Sequence, residues 1–320
     1  MGYTNETEGI YDATKDNVII FDDFTTATKF VDFKFKVKSS AMKILISKAS
    51  QEYNIKYFYY LLKTIHINSD THKRFWISEY EDYSVCIPPN WYQNLVVDFL
   101  DVLFCKIDLI YIENKKLVEI IETVRTKILD YFFNENSSYK SYYGARIKTT
   151  LKELINPNDI GDGDWVLSEN MTENGDYNLI QLKHIGFGKY LEKSYKSIDN
   201  NFFKDNSCTE IKKGYILINR LIANEMDVCI LPELRFKTIA AVDVCWIAPN
   251  ENYNQKYLMY YLLSPQFQKE VLMNGSGTTR KRISKNNLIK LPLFLHERAN
   301  QELIVSKIEK SFEVLDNIIK

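Results

Sequence analysis

From Asn90 to Phe133 the chain contains neither glycine nor proline, and its apolar residues recur at heptad spacing. With Val96 placed at an a position, the a series is Val96, Leu103, Ile110, Leu117, Val124 and Tyr131. The d series is Leu100, Ile107, Asn114, Ile121 and Ile128. Asn114 alone breaks the seam, a placement that fixes register at some cost in stability. The pattern predicts one helix about 65 Å long that packs on a second helix. Elsewhere the periods differ. Residues 17–24, 29–38 and 41–47 read as strands, and 54–66 as a short buried helix followed by a polar link. After "NENSSYKS" at 134–141 comes a second β-rich stretch, to about residue 290, with strands expected at 214–222, 227–234 and 240–249. A helix is expected at 254–272, a loop at 274–287, and a second long helix from about Glu297.

The two long helices are versions of one sequence. A shift of 208 places Gln93 on Gln301, Val97 on Val305, Phe104 on Phe312 and Asp108 on Asp316. Val96, Leu100, Ile107 and Ile110 fall on Ile304, Ile308, Leu315 and Ile318, so the seam repeats except where Leu103 meets Ser311. The match extends upstream. "HKRFWIS" answers to "TRKRIS", "YNIKYFYYLL" at 53–62 to "YNQKYLMYYLL" at 253–263, and "VIIFDD" at 18–23 to "YILINR" at 215–220. A period near 200 is too long for a solenoid and predicts tandem duplication of a globular unit followed by a helix. Against this internal template the first globular unit is shortened at its start and the second helix at its end.

At 320 residues the chain has length for two domains. Abundant Lys, Ile and Asn point to an AT-rich genome more than to a function. The net charge of −1 argues against nucleic-acid binding by the whole surface and confines any such role to local patches or shared surfaces. The five cysteines form no CxxC pair and read as reduced, buried thiols of a cytoplasmic protein. No apolar run is long enough for a membrane span, the polar start is not a signal peptide, and Gly2 lacks the Ser or Thr that myristoylation requires.

The order globular domain, long helix, globular domain, long helix resembles the specificity subunit of type I restriction-modification systems. The resemblance rests on "PPNWYQNLVVDFLDVLFCKIDLI" opening the first helix, "GYILINR" at 214–220, "SGTTRKRISKNNLIKLPL" before the second helix, and "FDDFTTATKFVDFKFKVKSSAMKIL" at 21–45. It covers nearly the whole chain. It implies an α+β fold: two β-rich target recognition domains, separated by long helices that pack as an antiparallel coiled coil. The expected division is residues 1–88 for a first, N-terminally shortened recognition domain and 89–137 for the first helix. Residues 138–292 form the second recognition domain, and 293–320 the shortened second helix. It further implies reading of a split site on double-stranded DNA, docking of two methyltransferase subunits on the coiled coil, and association with restriction subunits. A spacer of about 65 Å is comparable to two turns of B-DNA.

The candidate DNA contacts follow. Thr278, Thr279, Arg280, Lys281, Arg282 and Lys285, with Lys290, occupy a loop without an acid from Val271 to His296. Arg suits guanine or phosphate, and a Gly-Ser-Thr loop brings backbone N–H groups close to phosphate. The alternative is a solvated basic loop or a partner contact. Lys73 and Arg74 are the repeat-equivalent pair. Arg220 follows a strand, where an ordinary salt bridge competes with base contact. Thr25, Thr26 and Lys29 after "FDDF" are candidates for phosphate. "GDGDW" at 161–165 is a turn with Trp165 expected in the core. No catalytic, metal or cofactor residues emerge. "NPND" at 156–159 lacks the second proline and the aromatic of an adenine methyltransferase motif. There is no Gly-rich cofactor loop, the four histidines form no constellation, and Asp22-Asp23 reads as a turn. The expected function is a non-catalytic, sequence-specific DNA-recognition subunit. The rivals are a coiled-coil adaptor that assembles partners without reading DNA, and a standalone nuclease, for which no metal site is found.

Overall fold

The computed structural model describes every residue except 1–4, 6, 38, 40, 66–73, 135–142, 278–280 and 320. The chain divides into two compact units, Met1–Asn114 and Lys115–Lys320.

The first unit is built on a three-stranded antiparallel sheet. Its central strand Val18–Asp22 lies between Thr28–Val31 and Met42–Leu45. The expected strand at 29–38 breaks in two, and its second piece, Lys34–Lys36, pairs with Ile10–Asp12 instead. Helix Ile55–Thr64 is capped by Asn54, whose side chain accepts the Lys56 and Tyr57 N–H groups. Phe21, Trp76 and Tyr80 meet edge to face and stacked, closing the sheet end with Phe75. The long helix spans Asn90–Phe133, matching the glycine- and proline-free run.

The second unit repeats this plan with additions. Its central strand Ile216–Asn219 lies between Val228–Ile230 and Val244–Ile247, and Ile160–Asp162 adds a fourth strand beside the last. A second sheet of four strands holds Tyr177–Ile180, Ser197–Ile198, Glu210–Ile211 and Lys237–Ala240. The expected strand at 240–249 is therefore two pieces belonging to different sheets, with a turn at Ala241–Asp243. The expected helix at 254–272 is also two, Gln255–Leu262 and Pro265–Asn274. Pro265 lacks the N–H that would continue the first helix and instead opens the second. Helix Arg298–Ile319 closes the chain.

The duplication is visible bond by bond. In the first unit the buried Gln93 accepts the Asn54 N–H (2.9 Å) and donates to the Pro88 carbonyl (2.8 Å). In the second unit the buried Gln301 accepts the Asn254 N–H (2.7 Å) and donates to the His296 carbonyl (2.8 Å). Lys56 pairs with Asp101 (2.7 Å), as Lys256 does with Glu309, the residue 208 positions on. Tyr60 stacks on Phe104 at 5.5 Å, and Tyr260 meets Phe312 edge-on at 5.6 Å. The Phe75 N–H reaches the Asp23 carbonyl (2.9 Å) as the Ile283 N–H reaches that of Arg220 (3.1 Å). A glutamine that satisfies a helix cap and the chain entering the long helix locks three segments together, so its recurrence carries structural meaning.

The expected seam is buried only in part. Ile121, Ile304 and Ile308 are buried, whereas Val96, Leu100, Leu117, Ile128 and Leu315 are half-buried. Leu103, Ile107, Ile110, Asn114, Val124 and Ile318 are exposed. Burial falls instead on a neighbouring face: Gln93 and Val97 in the first unit, Arg125, Leu129, Phe132 and Phe133 in the second. These residues pack on globular cores, and such packing does not follow the heptad. In the second unit Arg125 ion-pairs with Asp316 and lies over the Phe312 ring, 5.3 Å from its centroid. Arg146 caps the end of the long helix through the Phe133 carbonyl (2.6 Å) and that of Phe132 (3.2 Å).

Candidate nucleic-acid interface

The basic loop is anchored at its base. Lys281–Arg282 forms a short strand against Leu221–Ile222. Arg282 and Ser276 exchange both backbone hydrogen bonds, at 2.8 and 3.0 Å. Ser284 caps the turn Lys285–Leu288 through the Asn287 N–H. Leu288 and Ile283 are buried beneath it. Two apolar pins thus hold a segment whose cations face outward. Lys281, Arg282 and Lys290 are exposed, and Lys285 is half-buried. Arg282 pairs with Asp243 at 2.9 Å, and the Lys281 ammonium reaches the Leu272 carbonyl at 3.3 Å. Thr278, Thr279 and Arg280 lie outside the described residues, as does Lys73. Arg74, which matches Arg282 in the repeat, is exposed.

Arg220 is held inside the second unit. It is only 4% exposed, its Nε lies 3.3 Å from Asp162 Oδ1, and its Nη2 donates to the Val242 carbonyl at 2.6 Å. Its backbone carbonyl accepts the Ile283 N–H. A buried guanidinium so engaged ties three segments together at the foot of the loop.

The turn after "FDDF" is closed on itself. Asp22 Oδ1 accepts the N–H groups of Phe24 and Thr25, both at 2.9 Å, and those bonds hold its carboxyl below the usual carboxylate range. Thr26 takes a left-handed φ of 57°. A phosphate approaching Thr25 and Thr26 meets amides already taken and a carboxylate beside them. Lys29 is half-buried with its ammonium 5.4 Å from the Phe33 ring centroid.

Trp165 is 70% exposed, not in the core. The "GDGDW" turn needs its glycines for close approach: a Cβ on Gly163 would lie 2.0 Å from the Ala241 carbonyl oxygen. Two of the five cysteines, Cys86 and Cys105, are exposed, whereas Cys208, Cys229 and Cys245 are buried. Cys105 rides the exposed middle of the long helix, where no core covers it.

A second cationic feature was not evident from the sequence. Lys212, Lys213, Arg235 and Lys237 line a cleft of ≈ 750 Å³ together with Glu210, Glu233 and Asp176. Lys213 pairs with Glu233 at 3.0 Å, and the Lys237 ammonium lies 5.2 Å from the Tyr177 ring centroid. The cations occur as two separate short pairs, joined only because Glu210–Ile211 pairs with Lys237–Ala240. Among the described residues no group of three His, Cys, Asp or Glu side chains is placed to hold a metal ion. No helix among them is long and apolar enough to cross a membrane.

Against known proteins, no family model matches the chain. It is 29% identical over 335 aligned residues to the "Type I restriction enzyme EcoR124I/EcoR124II specificity subunit" of Escherichia coli, covering 100% of this chain and 78% of that one. Along its whole length the chain is similar in sequence to that specificity subunit. The architecture agrees. A chain in a solved structure of a type I R-M system, described for its complex assembly and conformational transition, superposes with a TM-score of 0.62. That match covers 97% of this chain and 77% of the other at 14% identity, and so speaks to the fold. Two sheet-based units, each leading into a long helix, are thus a fold shared with that chain, and the basic loop and the cleft lie on the second unit.

Proposed function

We propose that the chain is the non-catalytic DNA-recognition subunit of a cytoplasmic type I restriction-modification complex, reading a bipartite site in double-stranded DNA. The duplication carries this reading. The same glutamine-locked sheet, capped helix and long helix occur twice, as two readers of two half-sites require. Lys281, Arg282 and Lys285, with Arg74 in the first unit, are the proposed DNA-facing cations; the arginines suit guanine or phosphate and the lysines suit phosphate. The cleft with Lys212, Lys213, Arg235 and Lys237 adds a second basic surface. Methyltransferase subunits, two by the repeat, dock on the helices, and restriction subunits join them. The exposed run Leu103, Ile107 and Ile110 supports docking, because contiguous apolar surface of this kind marks partner sites. The same face supports the adaptor reading, so the test must separate the two. The chain is mixed with its methyltransferase subunit and a random duplex library, and bound DNA is selected and sequenced. A split motif with a constant gap is the expected result. A complex that forms with no motif enriched would mean assembly without reading.

A further inference from the structure

The first half of the long helix carries a further apolar stripe. Trp91, Leu95, Phe99, Val102 and Leu109 are each between 53% and 68% exposed. All five lie on helix Asn90–Phe133 and within the first unit. At 3.6 residues per turn they share one side of the helix. Measured from Val102, the core-facing Gln93 lies directly opposite, and Leu103, Ile107 and Ile110 lie about 100–160° away. The stripe is therefore distinct both from the face that meets the globular core and from the heptad seam.

The repeat supplies an internal comparison. The shift of 208 places Trp91 on Ala299, Phe99 on Lys307, Val102 on Lys310 and Leu109 on Asn317, and only Leu95 keeps an apolar match, Leu303. The buried residues of the same stretch behave differently, since Gln93 and Val97 fall on Gln301 and Val305. Packing on the globular unit thus does not require the stripe, and a contiguous apolar surface on one copy alone marks an interaction site.

The order of residues indicates the occupant. About Val102 the stripe is close to a palindrome: Leu95 and Leu109 stand seven residues to either side, and Asp98 and Lys106 stand four to either side. Asp98 and Lys106 are both exposed. When two copies of the helix run antiparallel with Val102 on the two-fold axis, each Leu95 meets Leu109, each Phe99 meets Cys105, and each Asp98 meets Lys106. The outermost pair, Trp91 with Glu113, lies at the rim. A two-fold contact repeats every pair, so both charge pairs are complementary. A parallel pairing in register sets Asp98 against Asp98 and Lys106 against Lys106, which repel.

We propose that this stripe is a self-association surface through which two copies of the chain pair antiparallel at Val102. The stripe offers about 500 Å² per copy, so the contact lies near the lower bound for a specific interface and gives a dimer of about micromolar affinity. The association does not depend on DNA reading and leaves the seam face of each copy free. Were each chain to read its own site, one particle would hold two duplexes.

The test is sedimentation equilibrium of the full chain without DNA, from about 1 to 200 μM, the range that spans such an affinity. The mass should rise from that of one chain towards two. Val102→Lys sets two ammonium groups on the axis and should abolish the rise. Asp98→Lys and Lys106→Asp should each weaken the dimer about tenfold or more, since each creates two like-charge pairs. Combining them restores both pairs in the antiparallel register and should restore the native affinity. Residues 98 and 106 are eight apart on one helix and do not touch within a chain, so this rescue arises only across the interface. All three positions are exposed, so the urea midpoints should stay near the native value. A single-chain mass at every concentration would overturn the proposal. So would a dimer that survives Val102→Lys but is lost in Ile107→Lys with Ile110→Lys, which would place association on the seam. Failure of the charge exchange to restore affinity would overturn the antiparallel pairing.

Discussion

Gln301 is nearly invisible as a functional residue and central as a structural one. Its amide bridges the Asn254 N–H and the His296 carbonyl in the buried junction between helix Gln255–Leu262 and the C-terminal helix. Gln301→Ala leaves a buried donor and a buried acceptor unpaired, so urea denaturation should report a loss of about 2–4 kcal/mol. Gln93→Ala should act in the same direction in the first unit. His296, beside it, carries the pH dependence. Its ring meets the Tyr257 hydroxyl at 2.8 Å, and Arg146 Nε donates to its Nε2 at 3.3 Å. That arrangement fits the neutral ring with the proton on Nδ1. Burial, helped by the Arg146 charge, pushes its pKa down to about 4 from the usual 6.5. The unfolded chain therefore holds the extra proton between those values. The contribution of this group is complete above pH 6.5 and is lost as pH falls towards 4, by about 3 kcal/mol. His184, also pushed down by burial, acts in the same sense. The decisive quantity is thus the difference in stability slope between the native chain and His296→Gln, which should be shallower.

The long helix shows what periodicity conveys and what it does not. Its limits were legible because no glycine or proline interrupts Asn90–Phe133. The buried face was not, because two apolar faces share the helix. Gln93 and Val97 meet the globular core of the first unit, while Leu103, Ile107 and Ile110 repeat at heptad spacing and lie exposed. A polar glutamine in the core interrupts no heptad count, so counting alone passes over it. Short strands were misjudged for a related reason. The run 240–249 is apolar but for Asp243, and one acid is too little to mark the turn at Ala241–Asp243 where it passes from one sheet to another. The exposed face makes its own prediction. Ile107→Lys with Ile110→Lys replaces side chains 48% and 57% exposed, so stability should stay within about 0.5 kcal/mol. Co-purification of methyltransferase subunits should be lost. Retention of those subunits at native yield would remove this face from the docking surface.

At the scale of the molecule the duplication was the most legible feature, because it is written in matched residues and needs no assignment of secondary structure. The recognition chemistry was the least legible, because charge in sequence does not state what it is paired with. The sequence offers both Arg220 and Arg282 as candidate contacts, yet one is buried against Asp162 and the other is an exposed partner of Asp243. This difference sorts the variants. Arg220→Ala removes a tie at the foot of the loop and should lower stability, so any loss of DNA binding would be indirect. Lys281→Glu with Lys285→Glu changes one exposed and one half-buried lysine and should lower the urea midpoint far less than Arg220→Ala. If both lysines neutralise phosphates, the slope of log K against log salt should fall by about 2, nearly one per phosphate contact. Binding should then weaken on matched and mismatched duplexes alike, because phosphate contacts carry no sequence information. A variant that keeps the native salt slope but no longer distinguishes target from non-target duplexes would place the lysines at base edges. Unchanged affinity and slope would move the DNA away from this loop and towards the cleft of Lys212, Lys213, Arg235 and Lys237, where the same pair of measurements can be repeated.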